Sequence, residues 1–450
     1  MTSIDITIEC IVSRIFKPFD LATIDSNLRG FAQPYFQPII SIEDRRVIGY
    51  EALARGYNQA GEIVSLGHLF HNEANQEKII ELDHYLREEA MRTFIESGLA
   101  ERRKLFLNIV PQWLNVADAN LALEDSFHLL KVTEKYNIPP SSIVLEITED
   151  EFKAEAALMS KVIEFLKSKG FAIAVDDFGS GASNMARIGE IRPSYIKLDL
   201  HLMKRGFAEG IFKEILNSMS FLAEKIGAIL LVEGIENEEE LYGAFDIGAR
   251  YLQGFFFGLP SDQFQLLETL DEQLNEYLSG FIEKKLNRMK SLLYFKDVVS
   301  GFFEVHLQEL FVPHIHETTA TFKPIAQDKF PDFWRHHLKV VYFLNDQGIQ
   351  ISPNYNLEKK EGSDFIWVED QRYEGKNWSW RPYFLQFMAQ RAVQDARRSY
   401  SEPYGDIRSG RSIVTFVHAY DDGVLLCLDF DISHLHDPLW HKELSAMKSD

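Results

Sequence analysis

The sequence predicts a TIM-like (β/α)8 barrel of the α/β class, joined by a long helix to a smaller α+β domain. Three observations support this prediction. Between about residues 35 and 262, short apolar runs alternate with stretches of helical periodicity. Nearly every run ends on a polar residue, whereas an open α/β sheet would concentrate its polar groups near one switch point. After about residue 297 the pattern changes to apolar runs joined by tight turns.

Seven apolar runs in the first part of the chain each end on a carboxylate, amide or amine. These runs are Tyr50–Arg55, Phe106–Asn108, Val144–Glu146, Val175–Gly179, Ile196–Asp199, Leu231–Gly234 and Tyr251–Phe255. Helical periods cover Lys153–Lys169 and Ile211–Ile226, and each stops at a glycine. Strands are expected next, at Phe171–Val175 and Ala228–Val232. Because strand ends converge at one mouth of a barrel, the polar groups are expected to meet there.

The rest of the chain is assigned from the same signals. We expect a helical lead-in over residues 1–34, the barrel over 35–262, a charged helix over 263–296 and the second domain over 297–450. The elements expected in the second domain are strands Val340–Leu344, Ile413–His418 and Val424–Phe430, a helix Pro382–Arg397, and hairpin turns at Asn345–Gly348 and Asp421–Gly423.

Composition narrows the class of protein. At 450 residues the chain is long enough for two cores, and its 46% hydrophobic and 13% aromatic content is globular. We expect no membrane insertion, because no apolar stretch approaches the ~18–20 residues of a spanning helix. With two cysteines and no evident secretory signal, we expect no disulfide framework and a cytoplasmic location. The net charge of −21 argues against binding a nucleic-acid polymer.

The acids at the predicted barrel mouth indicate bound cations. Carboxylates brought close together repel each other unless divalent cations lie between them. The clearest instance is Asp176-Asp177, with Gly179 and Gly181 behind it. A solvated Asp-Asp turn is the alternative, and the acids at the other strand ends disfavour it. The sequence therefore predicts a metal-dependent enzyme, and bound metals would admit a small anionic substrate to this acidic mouth.

Eight short motifs in order make a specific signal, although each alone would recur by chance. They are Phe36-Gln37-Pro38, Glu51-Ala52-Leu53 with Arg55, Asn108, Leu145-Glu146-Ile147-Thr148-Glu149, Asp176–Gly179, Lys197-Leu198-Asp199, Glu233–Glu236 and Gln253-Gly254-Phe255. With them, residues from about 33 to 260 closely resemble the EAL domain family of cyclic di-GMP phosphodiesterases. The whole chain resembles YkuI-type members of this family, in which a PAS-like domain follows the barrel. The block Ser401–Tyr404 is also similar to Cache-type sensor domains.

This resemblance implies a role for each matching residue. Hydrolysis of cyclic di-GMP to linear pGpG would use two divalent cations, Mg²⁺ or Mn²⁺, held by oxygen ligands. The implied metal ligands are Glu51, Asn108, Glu146, Asp176, Asp177 and Glu233, with Asp176 bridging both ions. Glu51 and Glu233 count as catalytic together with Lys197, whose ammonium would orient the attacking water. The implied substrate contacts are Gln37, Leu53, Arg55, Asp199, Glu236, Gln253 and Pro260.

The loop after the paired aspartates bears on the choice between two functions. The resemblance implies that Glu149 anchors this loop and that the loop takes part in a homodimer contact. Ala182 stands where the family usually has an aromatic residue, a change that could slow catalysis without removing a ligand. The first hypothesis is an active phosphodiesterase regulated by the C-terminal domain. The alternative is a receptor that binds cyclic di-GMP with little or no hydrolysis, and the complete ligand set favours the enzyme.

The C-terminal domain is expected to receive an unknown small-molecule or protein input. Six aromatic residues could line a pocket there, although core packing explains most such residues: Trp367, Trp378, Trp380, Tyr373, Tyr383 and Phe384. Two histidine pairs alternate by two residues without further ligands, which favours exposed strand or loop residues over a metal site: His314/His316 and His434/His436.

Overall fold

The structure is a computed structural model, and it describes residues 32–57, 61–70, 76–109, 119–148, 156–178, 185–198, 210–310, 313–316, 319–322, 332–359, 365–406, 409–420 and 423–435. The chain divides into two compact units, Met1–Phe281 and Ile282–Asp450. Of the expected lead-in, residues 1–31 lie outside the described part, and residues 32–34 belong to the first strand instead. Among the described residues, no helix has the length and apolar character needed to cross a membrane.

Eight strands of the first unit close into a barrel. The strands of this unit are β1 (Ala32–Ser41), β2 (Arg46–Tyr57), β3 (Ile63–Ser65), β4 (Lys104–Asn108), β5 (Ile143–Thr148), β6 (Ala172–Phe178), β7 (Tyr195–Leu198), β8 (Ile229–Val232) and β9 (Tyr251–Leu252). Hydrogen-bonded neighbours follow the order β1-β2-β4-β5-β6-β7-β8-β9, and β9 pairs back onto β1. Strand β3 adds to the edge of β2. The predicted barrel is confirmed.

One strand departs from the expected parallel arrangement. Strand β1 runs antiparallel to both β2 and β9, whereas the other neighbouring pairs of the barrel are parallel. A turn over residues 42–45 joins β1 to β2, and it is too short for the crossover that a parallel pair needs. In this register Gln37 lies opposite Glu51, so β1 supplies a polar side chain from its middle.

The barrel interior has an apolar layer beneath a polar one. The apolar layer is a buried cluster of Ile39, Phe106, Val144, Ala174, Tyr195 and Leu231. The polar layer lies nearer the mouth. Each of its residues is two positions along the chain from a residue of the apolar layer, on the same strand or just beyond its end: Gln37, Asn108, Glu146, Asp176, Lys197 and Glu233. Strand side chains alternate between faces, so a step of two residues stays inside the barrel. This spacing brings one polar group per strand to the same mouth.

Helices cover the outside of the barrel. Those described in the first unit are α1 (Gly67–Phe70), α2 (Gln76–Glu96), α3 (Ala119–Tyr136), α4 (Ala156–Ser168), α5 (Met185–Ile191), α6 (Gly210–Ile226) and α7 (Glu238–Asp246), with a 3-10 turn at Pro140–Ser142. Helices α4 and α6 correspond to the two helical periods seen in the sequence. Each is followed by a glycine with positive φ, Gly170 or Gly227, as expected for a helix C-terminus.

The long helix begins and ends later than expected. Helix α8 spans Leu270–Leu310 rather than residues 263–296. The residues before it remain packed on the barrel, where the Tyr50 hydroxyl donates a hydrogen bond of 2.9 Å to the main-chain oxygen of Gln265. Leu267 then takes a φ of 52°, which no helical residue adopts. These tertiary contacts override the helical spacing of the leucines.

The second unit is an α+β domain. Its remaining elements are β10 (Pro313–His316), β11 (Thr319–Phe322), α9 (Asp332–His337), β12 (Leu338–Leu344), β13 (Asn354–Lys359), β14 (Phe365–Asp370), a 3-10 turn (Gln371–Tyr373), α10 (Pro382–Gln394), β15 (Arg398–Tyr400), β16 (Tyr404–Gly405), β17 (Ser412–Ala419) and β18 (Leu425–Asp431). The antiparallel sheet has the order β14-β13-β12-β18-β17-β15, with β16 paired to β17 and a separate β10–β11 hairpin. Alternate residues of its central strands pack into two clusters, one containing Phe295 of α8 and the other Phe387 of α10.

The predicted elements of this unit agree with the structure to within a few residues. The three expected strands correspond to β12, β17 and β18, and the turn at Asn345–Gly348 is present. Helix α10 ends at Gln394 instead of Arg397, because Asp395 adopts the left-handed conformation with a φ of 52°. The second expected turn lies mostly outside the described residues, which resume at Gly423.

Candidate active site

Four carboxylates surround one buried ammonium group at the barrel mouth. The Nζ atom of Lys197 lies 2.9 Å from Glu146 Oε1 and 3.1 Å from Asp176 Oδ1. It also lies 3.1 Å from Glu233 Oε2 and 3.5 Å from Glu51 Oε2. Lys197 is 0% exposed, whereas an ordinary strand lysine extends its amine to water. A charge this deep needs paired neighbours, so the site is organised around the lysine.

Side-chain amides hold the Glu51 carboxylate in place. Gln253 Nε2 donates to Glu51 Oε2 at 2.6 Å, and Asn108 Nδ2 donates to Glu51 Oε1 at 3.0 Å. Gln253 Nε2 also lies 3.2 Å from Gln37 Oε1, and Gln37 in turn donates to the main-chain oxygen of Gly258. Because its amide nitrogen is used in this way, Asn108 could offer a cation only its carbonyl oxygen.

Asp177 reaches the mouth through a β-bulge. The register between β6 and β7 shifts between Val175 and Phe178, and Asp177 takes a φ of 51°, which aspartate tolerates better than most residues. Regular alternation would send Asp176 and Asp177 to opposite faces of the strand. Instead, one oxygen from each of these aspartates and one from Glu233 lie within 4.8 Å of one another. The bulge therefore makes both adjacent acids usable at one site.

The charges of the cluster shift its pKa values. Burial favours the neutral amine, but the carboxylates, Asp176 foremost, raise the pKa of Lys197 well above its ordinary value. Burial and the charge of Glu51 raise the pKa of Glu146, and burial and Asp176 raise that of Glu233. Burial would also raise the pKa of Glu51, but the Lys197 charge and two amide hydrogen bonds lower it overall. One ammonium therefore does not balance the acids around it.

The donor set fits hard divalent cations. The cavity above the cluster is lined by carboxylates and amides, and by no Cys or His of the described residues, which suits Mg²⁺ or Mn²⁺ better than zinc. Asp176, Asp177 and Glu233 place three oxygens within reach of one ion. Within the described part of the chain, neither oxygen of Glu146 accepts a hydrogen bond of good geometry, although Lys197 lies beside Oε1. A cation would neutralise the excess negative charge that raises the carboxyl pKa values.

Two cavities adjoin at this cluster. The first, of about 320 Å³, is lined by Gln37, Glu51, Leu53, Asp176, Asp177, Glu233, Gly234, Glu236, Gln253, Gly254 and Phe255. The second, of about 280 Å³, has Arg55 on a wall of mostly apolar side chains such as Phe70 and Leu86. Both are lined by Glu51 and Leu53. Together they form an extended cleft of the size that binds small molecules.

The structure brings together most residues that the sequence singled out. Those meeting at the cluster or its cavity are Gln37, Glu51, Leu53, Asn108, Glu146, Asp176, Asp177, Lys197, Glu233, Glu236 and Gln253. Arg55 and Asn108 line the adjoining cavity, whereas Pro260 lines neither. Asp199, Glu149 and Ala182 lie outside the described residues, so their roles stay predictions.

Two features of the site were not predicted from the sequence. Asp83 and Arg87 of α2 form a buried ion pair on the wall of the second cavity, and their i,i+4 spacing on an amphipathic helix was the available signal. Gly254 packs against the backbone of the neighbouring segment, because a Cβ there would lie 2.1 Å from the main-chain oxygen of Ile235. Sequence spacing gives no sign of this contact.

This fold and site define a class of barrel proteins with a carboxylate-rich mouth beside an extended cleft. The chain belongs to the EAL domain family, whose domain matches residues 26–260. Residues 264–439 match the EAL-domain associated signalling protein domain. The resemblance seen in the motifs is thereby confirmed over both parts of the chain.

Relatives of known name extend this comparison. The chain is 30% identical over 437 residues to the uncharacterized EAL-domain containing protein YkuI of Bacillus subtilis, covering 94% of this chain and 99% of YkuI. It is 28% identical over 248 residues to the cyclic di-GMP phosphodiesterase RocR of Pseudomonas aeruginosa, covering 53% of this chain and 60% of RocR. A crystal structure of YkuI in complex with substrate c-di-GMP and calcium is similar, with a TM-score of 0.74 and 28% identity. That match covers 93% of this chain and 99% of the YkuI chain.

Proposed function

We propose that this protein is a metal-dependent phosphodiesterase that hydrolyses cyclic di-GMP to linear pGpG. The observation that supports this most is the buried Lys197 within four carboxylates at the barrel mouth. The similarity to YkuI, whose crystal structure holds c-di-GMP and calcium, supports the same substrate. The similarity to the phosphodiesterase RocR supports the reaction.

The proposed ligands form two overlapping sets of oxygen donors. Asp176, Asp177 and Glu233 would hold one Mg²⁺ or Mn²⁺ ion, and Glu51, Asn108 and Glu146 would hold another together with Asp176. When bound, divalent cations would supply charge neutralisation at the phosphate and a nucleophile at neutral pH. Lys197 would orient the attacking water by donating a hydrogen bond and would limit repulsion among the acids.

The cleft is proposed to bind the dinucleotide along its length. Gln37, Leu53, Glu236 and Gln253 line the cavity next to the acids, and Arg55 lines the adjoining one. The planar guanidinium of Arg55 is suited to a phosphate oxygen. Asp199 and Pro260 are proposed as further substrate contacts, and Glu149 as the anchor of the loop after the aspartates.

Turnover of cyclic di-GMP by the purified full-length chain tests this proposal. Linear product is measured by chromatography with Mg²⁺ or Mn²⁺, for the wild type and for Glu51→Gln. Removing one ligand should lower turnover by roughly a hundredfold or more, since metal stabilisation is worth several kcal/mol. Glu239→Gln, at an exposed site on α7, is the matched control and should leave turnover unchanged.

Two results would overturn this assignment. Tight binding of cyclic di-GMP in calorimetry, with no linear product from the wild type, would establish the receptor alternative. Full turnover by Glu51→Gln would show that the ligand set is wrong.

We also propose that the protein is a homodimer and that the second unit regulates the barrel. Part of α8 has a stripe of exposed apolar side chains at the spacing of a coiled-coil seam: Ile282, Leu286, Met289 and Leu293. Light scattering at micromolar concentration should give twice the mass of the chain, and a monomer would contradict the dimer.

A further inference from the structure

The second unit contains a cavity of about 560 Å³, which is within the range of small-molecule sites. Its walls come from β12, β13, β16, β18, the starts of β17 and α10, and residues just before that strand and that helix. Four of the six aromatic residues noted in the sequence line it: Tyr373, Trp378, Trp380 and Tyr383. These rings therefore surround a space rather than only filling a core.

A carboxylate, Asp429 of β18, lies on one wall of this cavity. The Thr415 hydroxyl donates to Asp429 Oδ1 at 2.7 Å, and the Tyr404 hydroxyl lies 2.8 Å from that of Thr415. Burial is the main cause that raises the pKa of Asp429, to about 6, so the group is still ionised at neutral pH. Among the described residues, no Lys or Arg nitrogen lies within ion-pair distance of it. The fold thus keeps a negative charge facing the cavity.

A guanidinium, that of Arg381, lies on the wall of the same cavity. Its central carbon lies 5.4 Å from the Trp380 ring centroid, 5.6 Å from that of Tyr404 and 5.9 Å from that of Trp378. Trp378 is fixed in turn, because its Nε1 donates to Gln350 Oε1 at 2.8 Å. No carboxylate of the described part of the chain forms an ion pair with Arg381. Rings that flank the guanidinium leave its N–H edge available for a planar anion.

We propose that this cavity binds a small molecule carrying both an ammonium and a carboxylate group, of the amino-acid class. The ammonium would lie at Asp429, the carboxylate at Arg381, and the remainder of the molecule against the aromatic rings. Arg381 would repel a positive group placed beside it, and Asp429 a negative one. Five other charged side chains line the same cavity, Lys339, Glu358, Lys376, Asp406 and Arg411, and Arg411 is paired with Asp431 at 2.9 Å. A ligand with both charges satisfies both groups at once.

Binding is tested on the full-length protein with each of the common L-amino acids at millimolar concentration. We expect at least one of them to raise the thermal midpoint and to give a binding isotherm in calorimetry. Asp429→Asn and Arg381→Gln should each weaken binding roughly ten- to a hundredfold, the cost of losing a charge-assisted hydrogen bond. Asp346→Asn makes the same change as the first variant at an exposed hairpin turn, and it should bind as the wild type does.

The chemistry of the ligand is tested by removing one charge at a time. The decarboxylated amine and the deaminated acid of the amino acid that binds should both bind much more weakly than the amino acid. The proposal is overturned if no amino acid binds, if the amine alone binds equally well, or if folded Asp429→Asn, verified by circular dichroism, binds unchanged. None of these readouts depends on hydrolysis in the barrel, so this inference and the proposed function can fail separately.

Discussion

When no cation is bound, the stability of the acid cluster is expected to depend on the positive charge of Lys197. It is fully buried and lies within 3.5 Å of four carboxylates. Lys197→Met keeps much of the volume but leaves those acids without a counter-charge. The free energy of unfolding, measured by denaturant titration in the presence of a chelator, should fall by about 3–5 kcal/mol, the cost of breaking a buried ion pair.

The matched control for this change is Lys161→Met on α4. Lys161 is exposed, so its replacement should alter the free energy of unfolding by less than about 0.5 kcal/mol. Equal effects of the two variants would show that the buried ammonium does not stabilise the cluster.

Asp177 combines a backbone requirement with a ligand requirement, and two variants separate them. Its φ of 51° is tolerated by Asn but strained for Ala. Asp177→Ala should therefore lower the free energy of unfolding by about 1 kcal/mol more than Asp177→Asn, measured with a chelator present. Both variants should lose affinity for Mn²⁺ in calorimetry, since both lack the carboxylate. If Ala and Asn are equally stable, the bulge is not held in the left-handed conformation.

At the residue scale, strand periodicity made most of the site predictable. Glu146 and Asp176 end apolar runs, and a period of two residues places them inside the barrel. The same rule would have sent Asp177 outward, because a bulge depends on the register of the neighbouring strand. The contact of Lys197 with all four acids could not be predicted from the sequence either, because it depends on closure of the whole barrel.

At the scale of elements, two glycines show how the same substitution can act in opposite directions. A Cβ at Gly254 would lie 2.1 Å from the oxygen and 2.2 Å from the nitrogen of Ile235, both rigid backbone atoms. Gly254→Ala should therefore lower the free energy of unfolding by at least about 3 kcal/mol. Gly301 lies in α8, and a methyl group added there would meet nothing within 4 Å beyond the backbone of its own helix. Gly301→Ala should therefore raise the free energy of unfolding by roughly 0.5–1 kcal/mol.

Calorimetric or denaturant unfolding of the two glycine variants checks this contrast. A neutral Gly254→Ala would mean that the segment after β9 moves away from Ile235 at little cost. The start of α8 shows why such contacts limit sequence reasoning. The leucine spacing predicts a helix from residue 263, but the hydrogen bond from Tyr50 to Gln265 holds that segment on the barrel.

At the scale of the whole molecule, the two units have separate cores and should unfold in separate transitions. Asp429 belongs to the second unit, and its pKa is raised from 3.8 to about 6, chiefly by burial. A raised carboxyl pKa means that the folded state binds the proton more tightly than the unfolded one. The contribution of Asp429 to the stability of the second unit should therefore fall by on the order of 2 kcal/mol as the pH rises from about 4 to about 6. His337 of the same unit, whose pKa burial lowers to about 4, changes the stability in the opposite direction over this range. The effect of Asp429 is therefore the difference between the wild type and a variant that lacks this carboxyl group.

Asp429→Asn removes this contribution because asparagine does not titrate. At neutral pH the variant should unfold at a higher temperature than the wild type in the transition of the second unit, and near pH 4 the two should converge. The transition of the barrel should be the same in both proteins. Differential scanning calorimetry across this pH range measures both transitions. Parallel pH profiles of the two proteins would show that the charge of Asp429 does not destabilise the fold. A variant that is more stable at neutral pH but no longer binds an amino acid would show that this destabilising charge serves ligand binding.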